Sequence, residues 1–170
     1  MTREQLALLY KAVRADLRLH TIVVLLHRIG ARISELLALN LADVDLLHRR
    51  FQVVGKGNKQ RWCFYSQHDA LFTAQQQFTE RVSRLSYRTV HQHWKAAIKD
   101  IRQLIAARIH DLRHTFATER VGLIALEELR ALMGHEKIQT TLRYQKVISG
   151  QAEAAAQRAL ETLLHLSLCH

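Results

Sequence analysis

The apolar residues of the chain recur mainly at the three- and four-residue spacing of amphipathic helices. Positions i, i+3, i+4 and i+7 share one face of a helix, so this spacing predicts helical segments. They cover residues 6–13, 22–29, 32–44, 90–101, 110–121, 126–133, 138–147 and 151–166. Gly30 follows the second segment directly, where a left-handed residue commonly ends a helix.

One stretch breaks the helical pattern. Residues 51–54 and 62–65 are rich in aromatic and β-branched side chains, and they flank Gly-Lys-Gly-Asn-Lys at 55–59. Such runs favour strands, and the glycines favour a turn between them. We therefore predict a mainly α fold with one small antiparallel β-hairpin, whose flexible basic tip carries Lys56. Because the chain lacks proline and linker-like tracts, we expect one domain over residues 1–170.

Composition narrows the class of partner. The 170 residues include 25 Lys and Arg against 15 Asp and Glu, which gives a formal net charge of +10. Such an excess favours an anionic partner, either nucleic acid or an acidic membrane surface. No apolar run approaches the roughly 20 residues of a membrane span. Two cysteines, Cys63 and Cys169, are too few for a disulfide framework, so we expect a soluble cytoplasmic protein.

The string His-Asp-Leu-Arg-His at 110–114 is the most informative one. On a helix, His110, Arg113 and His114 project together. An arginine beside an imidazole repels a metal ion but suits a phosphate, which takes a bidentate guanidinium and an imidazole hydrogen bond. An exposed basic helix surface explains the string equally well.

Four other positions are weaker candidates when each is taken singly. Arg32 begins a helix, where a cation opposes the helix dipole, although local cap geometry would also explain it. Lys56 reaches out from a turn, as a solubilising lysine also does. His135 follows a glycine that suits a helix cap, so a capping role explains it. Tyr144, taken alone, is explained by a core or rim position on its helix.

Together and in order, these segments resemble the tyrosine recombinases, which include phage integrases, bacterial chromosome-dimer recombinases and fimbrial invertases. The resemblance is carried by GARISELLAL at 30–39, GKGNK at 55–59, HDLRHTFAT at 110–118, LMGH at 132–135 and Tyr144. It spans nearly the whole chain and implies the catalytic-domain fold of that family. It also implies that the N-terminal helical domain common in the family is absent here.

The resemblance implies an active site formed by six residues: Arg32, Lys56, His110, Arg113, His135 and Tyr144. Tyr144 would attack a DNA phosphodiester and form a 3′-phosphotyrosyl link, which a partner strand's 5′-hydroxyl then attacks to form a Holliday junction. Arg32 and Arg113 would clamp the phosphate and His135 would hydrogen-bond it. His110 would act as base and Lys56 as the acid for the leaving oxygen. No metal, cofactor or ATP is implied.

The implied partner is double-stranded DNA, with self-association as a tetramer on it. We expect backbone contacts from the hairpin and the helix after it, at Lys59, Arg61, Arg88, Thr89, His91 and Lys95. The alanine-rich stripe of segment 151–166 would pack on a neighbouring protomer or on its own core. Two other functions stay open: a catalytically silent DNA-binding remnant, and a metal hydrolase that uses some of the 11 histidines.

Overall fold

The computed structural model describes residues 1–66 and 85–145, without the side chains of Leu41, Lys56 and Gln145. Within these ranges the chain is mainly helical with one small sheet, which confirms the predicted fold class. The helices are α1 (Arg3–Val13), α2 (Leu17–Ile29), α3 (Ile33–Ala38), α4 (Tyr87–Ile98), α5 (Ile109–Arg120), α6 (Leu126–Met133) and α7 (Ile138–Gln145). The strands are β1 (Val44–Asp45), β2 (Arg50–Val54) and β3 (Gln60–Phe64). The predicted segment 151–166 lies outside the described residues, as does Cys169.

Local capping explains where the first two helices begin and end. The Thr2 hydroxyl accepts from the Gln5 backbone amide, and the Gln5 side-chain oxygen accepts from the Thr2 backbone amide, which forms a capping box for α1. Asp16 caps α2 through the Leu19 amide. Gly30 ends α2 in the left-handed conformation with φ 69°, as predicted. The Phe116 ring fills the space that a side chain at Gly30 would occupy.

The predicted helix over residues 32–44 is wrong beyond Ala38. Leu39 is extended, and the Asp43 carboxylate accepts from the Asn40 amide, so the chain turns into a short 3₁₀ helix over Leu41–Asp43. Side-chain bonds of this kind compete with helix propagation. Val44 then pairs with Phe51, and the sequence pattern did not reveal this third strand.

The predicted hairpin forms. Strand β2 runs antiparallel to β3, and Gln52 pairs with Trp62 at the middle of the two strands. Its inner face buries Phe51, Val53 and Cys63, whereas Trp62 is exposed on the outer face beneath Arg50. A 3₁₀ turn over Lys56–Asn58 forms the tip, with positive φ at both Gly57 and Asn58. The hairpin therefore presents one face to the core and carries its basic tip away from it.

Helix α2 is buried along most of its length and packs along α5. The main core gathers side chains from α1 to α5 and the inner face of the sheet. A smaller core joins the second half of α5 to α6 and α7 through Phe116, Leu129, Met133 and Tyr144. Because the ends of α2 and α6 both meet α5, segments distant in sequence lie together there. No helix within residues 1–66 and 85–145 is long and apolar enough to cross a membrane.

Candidate active site

Arginines from three different elements converge on the C-terminal turn of α6. Each donates a hydrogen bond to a successive backbone carbonyl of that turn: Arg61 Nε to Leu132 (3.1 Å), Arg113 Nη2 to Met133 (2.5 Å) and Arg32 Nη2 to Gly134 (3.1 Å). The last carbonyls of a helix lack intrahelical partners and carry the negative end of its dipole. The turn therefore collects the guanidiniums of β3, α5 and the start of α3 in one place.

Glu35 is the buried counter-ion of this arginine cluster. One carboxylate oxygen accepts from Nη1 of Arg61 (2.7 Å) and of Arg32 (2.8 Å), and the other from Nη2 of Arg61 (2.7 Å) and the Arg32 amide (2.7 Å). Burial alone would raise the pKa of Glu35, but these hydrogen bonds outweigh it and lower the pKa to about 2. Sequence reasoning missed Glu35, although its place three residues after Arg32 was a usable signal.

Arg113 is buried, with 2% of its surface exposed, and its Nη1 also donates to the Gly30 carbonyl. Burial, helped by the nearby charges of Arg32 and Arg61, lowers its pKa to about 10, so it stays charged at neutral pH. The cluster holds three guanidiniums, of which those of Arg32 and Arg61 bind the Glu35 carboxylate and that of Arg113 binds backbone carbonyls. The cluster therefore has an excess of positive charge that favours an anion.

A cleft of about 520 Å³ opens beside the cluster. Its lining includes five cationic side chains, those of Arg32, Lys59, Arg61, Arg130 and Lys137, together with His135 and the acidic Glu136. Cationic side chains thus surround a space large enough for a phosphate group, and a positively charged cleft concentrates anions.

His135 begins the turn after Gly134, which ends α6 with φ 60° as the sequence predicted. Its Nδ1 lies 2.8 Å from the Thr141 hydroxyl, and its ring lies parallel to that of Tyr144 with centroids 6.4 Å apart. Burial, reinforced by nearby arginines, lowers the pKa of His135 to about 4. The imidazole is therefore neutral at pH 7, and within residues 1–66 and 85–145 its hydrogen bond to Thr141 uses Nδ1, which leaves Nε2 for a ligand.

Tyr144 lies within hydrogen-bond distance of His114, whereas the sequence analysis gave the role of base to His110. The phenol oxygen lies 2.7 Å from Nδ1 of His114, while the His110 ring packs edge-on against the His114 ring at 4.7 Å between centroids. Burial raises the pKa of Tyr144 and lowers the pKa of His114. A protonated phenol therefore lies within hydrogen-bond distance of a neutral imidazole. The geometry suits proton transfer, whereas both shifts widen the pKa difference that the transfer has to overcome. The sequence placed His114 on one helix face with His110 and Arg113, but the resemblance assigned it no role.

The structure separates the predicted DNA contacts into two groups. On the hairpin, Lys59 forms an exposed ion pair with Glu136 at 2.9 Å, whereas Arg61 points inward to Glu35. On α4, Arg88 and Lys95 are exposed, and Thr89 and His91 are half-buried. This geometry favours an internal role for Arg61, although a DNA contact was predicted for it.

A second cavity, of about 300 Å³, lies between α4 and the start of α5. Its lining includes His91 and Lys95 of α4 together with His110 of α5. The side chain of Lys56 lies outside what the structure describes, so its predicted role stays a prediction. Among the described residues, no group of three or more His, Cys, Asp or Glu side chains is placed to hold a metal ion.

Comparison with known proteins gives one family. The model of the phage integrase family matches residues 1–64 and 61–149. The tyrosine recombinase XerC of Haemophilus ducreyi is 34% identical over 157 residues, which cover 76% of this chain and 48% of that protein. XerC of Staphylococcus carnosus is 31% identical over 87% of this chain and 57% of its own length. The chain thus spans about half the length of these curated relatives.

Solved structures agree on the fold. The XerA recombinase superposes with a TM-score of 0.74 at 22% identity, covering 94% of this chain and 64% of that one. XerH, bound to a palindromic difH substrate in a post-cleavage complex, gives 0.74 at 19% identity, covering 92% and 52%. The similarity therefore extends over nearly all of the chain.

Proposed function

The chain belongs to the phage integrase family, and on this premise we propose that it breaks and rejoins DNA as a site-specific tyrosine recombinase. The convergence of Arg32 and Arg113 on the end of α6 carries the proposal, and Arg32 also lines the cationic cleft. The Tyr144 phenol and two imidazoles lie beside it. These are the groups that a phosphodiester exchange without a metal requires.

In the proposed reaction the Tyr144 oxygen attacks the phosphorus and the bond to the 5′-oxygen breaks, which leaves a 3′-phosphotyrosyl link. The phenol proton passes to an imidazole, either His114 at 2.7 Å or the predicted base His110 behind it. The leaving 5′-oxygen takes a proton from Lys56 and departs as a hydroxyl. A 5′-hydroxyl of a partner strand then attacks the link and restores Tyr144.

The charge that develops on the phosphate oxygens explains the need for cations. Arg32 and Arg113 would each donate to these oxygens, and a neutral His135 would add a hydrogen bond from Nε2. Because the guanidiniums are already held by carbonyls and by Glu35, they would need little reorganisation when DNA binds. No step requires ATP, since the phosphotyrosyl link retains the energy of the phosphodiester.

The proposed substrate is double-stranded DNA held by the cleft and by α4, in a cytoplasmic complex of four protomers that passes through a Holliday junction. Solved relatives support DNA as the partner. XerH is described bound to difH substrate before and after cleavage, and the Tn1549 integrase is described with transposon right-end DNA. We assign residues 1–170 to a catalytic domain.

The test traps the covalent intermediate. Purified protein is mixed with end-labelled, nicked duplexes of randomised sequence, so that the short strand diffuses away after cleavage, and adducts are resolved on denaturing gels. We expect a protease-sensitive adduct with wild type, unchanged by EDTA and absent with Tyr144→Phe.

Two other outcomes would decide against the proposal. If both proteins retain duplex DNA on native gels and neither forms an adduct, the chain is a DNA-binding module without cleavage activity. Cleavage that EDTA abolishes and Tyr144→Phe preserves would identify a metal hydrolase.

A further inference from the structure

We propose that Arg61 is a positioning residue that holds the two phosphate-binding arginines in place, through Glu35 and through the end of α6. The inference rests on the proposed function, because it assigns Arg32 and Arg113 to the phosphate. It concerns a residue of β3 that no motif of the candidate site contains.

The donors of Arg61 are directed into the protein. Its side chain is only 12% exposed. Arg113 is buried more deeply, so the hydrogen-bond partners of Arg61, and not its burial, distinguish it from the phosphate-binding arginines. Nη1 and Nη2 form a bidentate pair with the Glu35 carboxylate, both at 2.7 Å, and Nε donates to the Leu132 carbonyl at 3.1 Å. A DNA phosphate would have to displace a buried carboxylate from this fork, which is the strongest geometry available to a guanidinium.

The first connection runs from Arg61 to Arg32. Both oxygens of Glu35 are shared: one joins Nη1 of Arg61 to Nη1 of Arg32, and the other joins Nη2 of Arg61 to the Arg32 amide. Arg61 therefore fixes the plane of the carboxylate, and the carboxylate fixes both the backbone and the guanidinium of Arg32.

The second connection runs from Arg61 to Arg113. The Leu132 carbonyl accepts from Arg61, and the next carbonyl, of Met133, accepts from Arg113. Gly134 permits this close approach, because a Cβ there would lie 3.0 Å from Cδ of Arg61 and 3.1 Å from its Nη1. Loss of Arg61 would loosen the turn on which both phosphate-binding arginines rest.

The first experiment compares Arg61→Met with wild type in the adduct assay. Arg50→Met is the matched control, because it removes an arginine from the outer face of the same sheet. We expect Arg61→Met to slow adduct formation at saturating DNA by about 10- to 100-fold, as misplacement of reacting groups does. Arg50→Met should keep the wild-type rate.

Salt dependence separates positioning from a DNA contact. Each phosphate contact contributes about 0.9 to the slope of log binding constant against log salt concentration. A positioning role leaves that slope unchanged in Arg61→Met. A slope reduced by about one would show that Arg61 contacts DNA and would overturn the proposal.

A pH profile separates positioning from a general loss of stability. Glu35 faces Arg61, Arg32, Arg113 and Cys63, and Arg61 supplies two of its hydrogen bonds. Without Arg61 its pKa rises, so the rate of Arg61→Met should fall as the pH is lowered from 7 to 5, while wild type shows no such ionisation. The double variant Arg61→Met, Glu35→Gln should lack this added dependence.

Arg61→Lys is a second variant, which keeps the test valid if Arg61→Met does not fold. A lysine keeps the charge but cannot bridge both carboxylate oxygens in one plane, so an intermediate rate is expected from a protein with a cooperative melt. If Arg61→Lys and Arg61→Met match wild type in rate and pH profile, the inference is overturned while the proposed function stands. If wild type itself forms no adduct, the proposed function is the one that fails.

Discussion

The phenol oxygen of Tyr144 lies 2.7 Å from Nδ1 of His114, a residue 30 positions earlier on a different helix. The bond joins α7 to α5 within the smaller core, where Tyr144 is only 6% exposed. It holds the proposed nucleophile beside a proton acceptor, and it ties the last described helix to the arginine cluster.

This bond should be measurable as a coupling free energy. In a double-mutant cycle of His114→Leu and Tyr144→Phe, we expect a coupling of about 1 kcal/mol in urea unfolding, the typical net value of a protein hydrogen bond. His110→Leu with Tyr144→Phe is the comparison cycle and should give a smaller coupling free energy, because the His110 ring packs on His114 and the hydrogen bond to Tyr144 comes from His114. Equal coupling in both cycles would refute the specific pairing with His114.

Gly30 should not tolerate a side chain. It has φ 69°, and a Cβ there would overlap the Phe116 ring. Left-handed strain and overpacking together predict that Gly30→Ala lowers the free energy of unfolding by about 2–5 kcal/mol. Gly57→Ala, with φ 74° but open space around it, should cost only about 1–2 kcal/mol. Similar losses for the two variants, measured by urea unfolding, would contradict the packing at Gly30.

Glu35 should contribute to acid stability. Its pKa in the folded protein is about 2, against 4.5 for an ordinary glutamate. As the pH falls, the unfolded chain therefore binds a proton at Glu35 before the folded protein does. The stabilisation by ionised Glu35 is complete above pH 4.5 and is lost as the pH falls toward 2. A shift of this size corresponds to about 3 kcal/mol. Urea unfolding between pH 2 and 6 should show that Glu35→Gln lacks this part of the acid dependence; parallel curves for the two proteins would show that Glu35 is not the cause.

Cys63 should be a poorly reactive thiol. Burial raises its pKa to about 11, and only the thiolate reacts with iodoacetamide. In a Cys169→Ser background, alkylation at pH 8 should be about 100-fold slower in the folded protein than in urea, which follows from the two-unit rise in pKa. Alkylation at the same rate in both conditions would place the thiol at the surface.

Helix α4 should contribute directly to DNA affinity. Arg88→Gln and Lys95→Gln remove exposed charges on the helix that borders the cavity beside His110. Each should reduce the slope of log binding constant against log salt by about 0.9 if it contacts a phosphate. Lys11→Gln, an exposed charge on α1, serves as the control and should leave the slope unchanged. Slopes equal to wild type in both α4 variants would remove this helix from the proposed interface.

Most of the fold could be predicted because its determinants are local. Apolar spacing located the helices, and Gly30 and Gly134 marked two helix ends through their left-handed backbone. The error at residues 39–44 had a local origin that a periodicity argument does not weigh, namely the Asp43 side chain turning the chain. The strand β1 required a partner, Phe51, that only pairing in space supplies.

The sequence by itself determined which residue types are present and in which order along the chain. That was enough to nominate six site residues: Arg32, Lys56, His110, Arg113, His135 and Tyr144. Only the tertiary structure decided which donors face the cleft and which face inward. Arg61 and Lys59 look alike in sequence, but one pairs with a buried carboxylate and the other with an exposed one. Hydrogen bonds between residues 26 to 102 positions apart form only when helices and strands pack, so spacing along the chain carries no record of them.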